Sequence, residues 1–151
     1  MKIYLGSDHN GHEIEPKLIE WLETNGHSVE TFSNKELVSD DDYPDFAYPV
    51  AKAVSKDENA RGIVVCGSGG GVCVVANKVK NARCVLAMND EQSKFARKDD
   101  NANILSLSAR YSSLEDMRKM ITTFLTTDFE TGGRHERRFH KVEEIESKEF
   151  K

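Results

Sequence analysis

Five short apolar runs, at residues 2–6, 28–32, 61–66, 83–87 and 103–107, alternate with segments of helical period, and this alternation constrains the fold more than any other feature. Each run has the length and apolar density of a strand covered on both faces. Between them, Ile14, Leu18, Trp21 and Leu22 share one helical face, Pro16 requires that helix to start close by, and Asn25-Gly26 supplies a left-handed stop. Leu114, Met117, Ile121, Phe124 and Leu125 keep a second face, behind a capping box in which Ser112 caps and Glu115 reaches back. Strand and helix in turn over 151 residues predict one α/β domain, residues 1–151, with a parallel sheet covered on both faces. In such sheets ligands lie beyond the carboxyl ends of the strands, so the loops after the strands are where chemistry is to be sought.

The first of these loops is Gly6-Ser7-Asp8-His9-Asn10-Gly11. A Walker loop would need Lys and Ser or Thr after Gly11, where His12 and Glu13 stand, and a dinucleotide loop would need Gly where Asp8 places a carboxylate against any pyrophosphate. Asp8 and His9 read either as paired polar groups over a sugar or as an Asx turn with a helix cap. The third loop, Cys66-Gly67-Ser68-Gly69-Gly70-Gly71, closes an apolar strand and precedes a helical segment over 72–78. Its glycines let several backbone N–H groups converge on a small anion, and Val72 stands where a dinucleotide fingerprint would need another glycine. The same amide field favours the thiolate form of Cys66, a candidate base; the other reading is a core cysteine ahead of a close-packed turn.

Asp40-Asp41-Asp42-Tyr43-Pro44-Asp45 reads as a solvated acidic turn that caps a helix. Residues 97–103, with Asp99, Asp100 and Asn101, are expected to cap the fifth strand near the same sheet edge as the other loops. Arg134, His135, Arg137, Arg138 and His140 follow Gly132-Gly133, and they form either a phosphate clamp or a solvated helix face. A net charge of −5, from 21 Lys and Arg against 26 Asp and Glu, argues against a nucleic-acid partner. The longest apolar stretches, 62–66 and 72–76, fall far short of the roughly 18 residues that cross a bilayer. With no secretory h-region after Met1, the expectation is a cytoplasmic chain with no membrane partner. Cys66, Cys73 and Cys84 form no C-x-x-C pair and read as free thiols, and His9 with His12 lacks a third ligand, so no metal is expected.

Taken together, loops 6–11 and 66–71, Asp42-Tyr43-Pro44-Asp45, Ala76-Asn77-Lys78, Asn101-Ala102-Asn103 and Gly132-Gly133-Arg134-His135 closely resemble the type B ribose-5-phosphate isomerase family, which includes the galactose-6-phosphate isomerase subunits. The resemblance spans nearly the whole chain, in order and at matching spacing, and Asp8-His9 with Cys66 points to the ribose branch. It implies a three-layer α-β-α fold with a five-stranded, flavodoxin- or Rossmann-like sheet, no cofactor, and a homodimer, with pairing into tetramers open. The C-terminal helix would lie at the dimer interface, and each active site would draw on both chains.

The resemblance also implies roles for residues. Cys66 would move a proton between C1 and C2 of an open-chain sugar phosphate, ribose 5-phosphate giving ribulose 5-phosphate, while the amides of Gly67, Gly69, Gly70 and Gly71 hold the enediolate. Ser68, where the family has Thr, would relay protons between O1 and O2. Asp8 and Tyr43 would fix sugar hydroxyls, with Asp100 also at the substrate, and His9, Arg110, Arg134 and Arg138 would grip the phosphate. The family reads His-Asn-Asp-Ala-Asn where this chain has Asp99-Asp100-Asn101-Ala102-Asn103, so the position expected to open the furanose ring carries Asp99, with His135 as the alternative acid. Gly70 replaces a usual apolar residue. Two other activities stay open: isomerisation of a hexose 6-phosphate of the allose or galactose type, and non-catalytic sugar-phosphate binding.

Overall fold

The structure, a computed structural model, describes residues 1–150. Its strands are β1 (Lys2–Ser7), β2 (Ser28–Thr31), β3 (Arg61–Cys66), β4 (Cys84–Leu86) and β5 (Ile104–Ser108), all parallel, in the spatial order β2-β1-β3-β5-β4. The helices are α1 (Glu15–Thr24), α2 (Pro44–Val54), α3 (Gly70–Ala76), α4 (Asp90–Lys98), α5 (Leu114–Thr126) and α6 (Arg134–Glu149). The parallel, doubly covered sheet is the one expected. Its far edge differs from the flavodoxin order 2-1-3-4-5: β5 lies beside β3, and the three-residue β4 takes the edge. Among the described residues no helix is long and apolar enough to cross a membrane.

Strand alternation divides the core in two. Ile63 and Val65 of β3 face Leu18, Leu22, Met117 and Phe124, while Val64 and Cys66 face Val50, Val54, Val72 and Ala76. Helices α1, α4 and α5 therefore cover one face and α2 and α3 the other. Burying each large apolar side chain contributes about 1.5–3 kcal/mol, so both layers are held to the sheet chiefly by this contact.

Local signals placed most helix ends. Pro16 lies in the first turn of α1, and Gly26 takes φ 82° after it. The cap of α5 is one residue later than expected: Ser113 Oγ accepts from Asp116 N at 3.1 Å and donates to the Asp116 carboxylate at 2.6 Å. Ser112 is buried instead, its N–H bonded to Ser108 O and its hydroxyl without a partner. Helix α3 begins two residues before the expected 72, because Gly69 adopts φ 77° and turns the chain early. At α2 the N-cap is Tyr43, with no side-chain cap bond, so the acidic turn does not cap as expected.

One buried carboxylate ties the carboxyl end of β1 in place. Glu15, 6% exposed, accepts a hydrogen bond from Ser7 Oγ at 2.5 Å and another from Thr31 Oγ1, joining β1, β2 and the first turn of α1. Glu15→Ala strands both hydroxyls and is expected to cost about 2 kcal/mol or more in urea denaturation. By the same measurement Ser113→Ala costs about 1 kcal/mol, while Ser112→Ala is neutral or stabilising, because its hydroxyl bonds to nothing.

Candidate active site

The chain leaves β1 toward β2 on one side and β3 toward β4 on the other, so a crevice opens between the carboxyl ends of β1 and β3. Register brings the loops level there: Ser7 pairs with Val65, and Cys66 with Ser108. Asp8 N donates to Val65 O at 3.3 Å, which fastens the first loop beside Cys66. The Asp8 carboxylate is 5% exposed and accepts from Asn10 N at 2.9 Å, so the Asx turn is real and holds Asp8 at the crevice.

Cys66 is 4% exposed, and the Gly69 N–H donates to its Sγ at 3.2 Å. Strand β5 pins the loop from behind: Gly67 O accepts from Ser108 Oγ at 2.7 Å and from Arg110 N at 3.0 Å, and Gly69 O accepts from Ser106 Oγ at 2.5 Å. Gly69 and Gly71 are required by contact. A methyl on Gly69 would stand 2.5 Å from Leu86 Cδ1, and one on Gly71 would stand 2.9 Å from the Tyr43 ring. A methyl on Gly67 would lie 3.4 Å from Arg110 Nη2 and 3.3 Å from the Asn10 side chain. Asn10, Tyr43 and Arg110 therefore stand against the glycine loop that follows Cys66, with Asp8 bonded to Asn10 and Ser68 exposed on the loop.

His9 stands on the rim of this group, held by a residue from the acidic turn. Its backbone N and its Nδ1 both reach Asp41 Oδ1, at 3.0 and 2.8 Å, and Nε2 lies 3.0 Å from Asn10 Nδ2. The Asp41 hydrogen bond raises the His9 pKa above the ordinary 6.5, with the charge of Asp8 adding to it.

The remaining expected residues form a second group at the opposite edge, which corrects the placement of residues 97–103. Asn103 O accepts from Gly62 N at 2.9 Å, so this segment stands level with the start of β3. Cys66 is four residues further on, roughly 13 Å along the strand. Asp99 ends α4 at that far edge, because a parallel crossover must bring the chain back to where the next strand begins. His135 is 8% exposed, with Nδ1 3.7 Å from Asp99 Oδ1 and Nε2 accepting from Arg134 Nε at 3.2 Å. Asp99 Oδ1 is buried with no hydrogen-bond partner. Asp100 is raised above the usual carboxylate range, first by burial and then by Asp99. Arg138 lines a cavity of about 280 Å³ with Asp99 and Asp100. Within one chain, then, His9 and Arg110 lie at one edge, and Arg134 and Arg138 at the other.

Comparison with known proteins gives this arrangement a family. The family model described as ribose/galactose isomerase matches residues 3–142. The chain belongs to the ribose/galactose isomerase family. Ribose-5-phosphate isomerase B of Mycolicibacterium paratuberculosis is 36% identical over 146 residues, covering 97% of this chain and 92% of that protein. The crystal structure of ribose-5-phosphate isomerase B from Mycoplasma genitalium with bound ribulose 5-phosphate is 39% identical, covers 97% of this chain and 96% of that one, and superposes with a TM-score of 0.93. The type B enzyme of Leishmania infantum, 32% identical over 99% of this chain and 98% of that one, gives a TM-score of 0.90. The resemblance carried by the sequence motifs is thus borne out at the level of family and fold.

Sequence reasoning missed three members of the site that the family fold brings in. Asp41 sits in a run of three aspartates, and nothing local distinguishes the one that meets His9. Ser106 and Ser108 had a signal: two hydroxyls two residues apart on one face of a fully buried strand need acceptors, and the glycine carbonyls are those acceptors. Asp41→Asn is expected to bring the His9 pKa down, read from its ring-proton NMR titration; an unmoved titration would remove Asp41 as the cause.

Proposed function

We propose that the chain is an aldose–ketose isomerase of a pentose phosphate, taking ribose 5-phosphate to ribulose 5-phosphate with Cys66 as the base. The observation that carries this reading is the Gly69 N–H aimed at Cys66 Sγ from 3.2 Å, at the crevice where Asp8, Tyr43 and Arg110 meet. The sugar phosphate bound in the Mycoplasma relative supports the substrate class.

The chemistry follows from what these groups do. With the Gly69 N–H as its hydrogen-bond donor, Cys66 at the crevice takes the C2 proton of the open-chain aldose. The C2–H electron pair becomes the C1–C2 double bond as the carbonyl pair moves onto O1, giving an enediolate. Amides of Gly67 to Gly71 stabilise the developing oxyanion, and one such donor is worth about 2.7–4 kcal/mol of barrier. Ser68 carries the O2 proton to O1, and return of a proton to C1 completes the ketose. The hydrogen moves as a proton, so no nicotinamide is needed.

His9 and Arg110 hold the phosphate from the same copy, and Arg134 and Arg138 reach it from a second copy of the chain. The opposite-edge placement of the two groups supports this division. Exposed apolar side chains on α3 and α6, Val74 at 61%, Val142 at 52% and Ile145 at 60%, supply material for the contact between copies. Ring opening falls to His135, whose Nδ1 faces Asp99. A second reading, a hexose 6-phosphate substrate, is favoured by Gly70. A Cβ there would meet only Ser68 Oγ at 3.5 Å, which leaves room for a larger sugar.

NMR of ribose 5-phosphate in heavy water tests the base. The native chain is expected to exchange deuterium into the sugar as it isomerises it, and Cys66→Ala to slow both by about a hundredfold to ten-thousandfold with little change in KM. Exchange at the native rate in Cys66→Ala removes Cys66 from the reaction. Faster turnover of allose or galactose 6-phosphate than of ribose 5-phosphate would establish the second reading.

A further inference from the structure

Three arginines meet at the edge of the sheet opposite Cys66. Arg61 opens β3, Arg83 directly precedes β4, and Arg97 lies in the last turn of α4. With Asn81, Asn101 and Asn103 they line a cavity of about 430 Å³. Arg97 is 5% exposed, an unusual depth for a cation, and such burial normally comes with a carboxylate. Here it does not: among the described residues none of the three guanidiniums has a carboxylate oxygen within 4.0 Å.

Their protein partners are neutral oxygens. Arg61 Nη1 donates to Glu58 O and Ala60 O, at 3.0 and 2.7 Å. Arg83 donates from Nε to Asn101 O at 2.8 Å and from Nη1 to Asn81 O at 3.3 Å. Arg97 Nη1 donates to Asn101 Oδ1 at 3.0 Å and to Ala102 O at 2.5 Å. These bonds fix the planes of the guanidiniums and use only part of each five-donor fork. Nη2 of all three has no acceptor in the protein, yet none of these atoms is sealed from solvent. Donors without a protein acceptor therefore remain on all three arginines that line the cavity.

Electrostatics points the same way. Burial first, and then the Arg61 and Arg83 charges, bring the Arg97 pKa down to about 10. A dianion among the three would relieve that repulsion and take the free N–H groups in the bidentate manner that suits phosphate oxygens. The acids on the cavity wall, Glu58 and Glu143, are both exposed and sit at its rim. Phe139, 5.0 Å from the Arg83 guanidinium, gives the cavity an apolar wall. The volume suits a small metabolite rather than a bare ion.

We propose that this cavity is a second anion site, for a small phosphate-bearing anion, apart from the crevice at Cys66. Arg83 also lines the neighbouring cavity with Asp99, Asp100 and Arg138, but none of the three arginines is itself assigned a part in isomerisation.

Calorimetric titration of the full chain with inorganic phosphate, in an Arg110→Ala background that weakens the crevice, tests it. One phosphate is expected to bind per chain. Adding Arg61→Gln, which keeps a donor for the carbonyls of Glu58 and Ala60, is expected to weaken it about tenfold or more. Adding Glu58→Gln, at an exposed position where folding is not at stake, removes a rim carboxylate and is expected to tighten binding about twofold or more. Absence of phosphate binding in the Arg110→Ala background, or an affinity that ignores both Arg61→Gln and Glu58→Gln, would overturn the proposal.

Discussion

Parallel pairing of β3 with β5 is the constraint on which the rest of the molecule depends. Parallel neighbours run in the same direction, so the loop that ends β3 and the loop that begins β5 must lie at opposite edges of the sheet. Cys66 and its glycine loop are consigned to one edge, and Asp99 with the segment before β5 to the other. No side-chain rotation bridges a separation set by strand length. If the two groups act on one sugar phosphate, as proposed, they do so from different copies of the chain, and the edge that looks remote in one copy supplies the crevice of another.

The two edges show opposite electrostatic designs. At the Cys66 edge polar groups are paired and aimed: Asp41 holds His9, Asn10 holds Asp8, and serines of β5 hold the glycine carbonyls so that the Gly69 N–H faces sulfur. At the far edge the charges are under-partnered. Asp99 has a buried oxygen with no donor, and among the described residues three arginines have no carboxylate oxygen within 4.0 Å. Buried polar groups left open in this way are costly unless something else completes them. A second copy of the chain and a small anion are the partners proposed to complete them.

Much of the fold was legible because its signals are local. Runs such as residues 61–66 carry strand length and apolar density, Pro16 and Asn25-Gly26 bracket α1, and the periodicity from Leu114 marks α5. The order of β4 and β5 was not legible, since both runs are apolar and only packing decides which takes the edge. The cap of α5 was misplaced because Ser112 and Ser113 each stand three residues before an acid, and burial chose between them. At the site, Cys66, Asp8 and the glycines were visible as loop motifs, whereas the Asp41–His9 pair and the arginine cavity join residues far apart in the chain, a relation that spacing does not encode.

Subunit mixing tests most directly whether one working site needs two copies of the chain. Cys66→Ala and Arg134→Ala chains, each expected to be nearly inactive alone, would be unfolded together and refolded. Mixed dimers then contain one site with both lesions and one with neither, so the mixture should recover about a quarter of native activity on ribose 5-phosphate. Mixed particles verified by native mass spectrometry that recover no activity, or a fully active monomer, would contradict a site shared between copies.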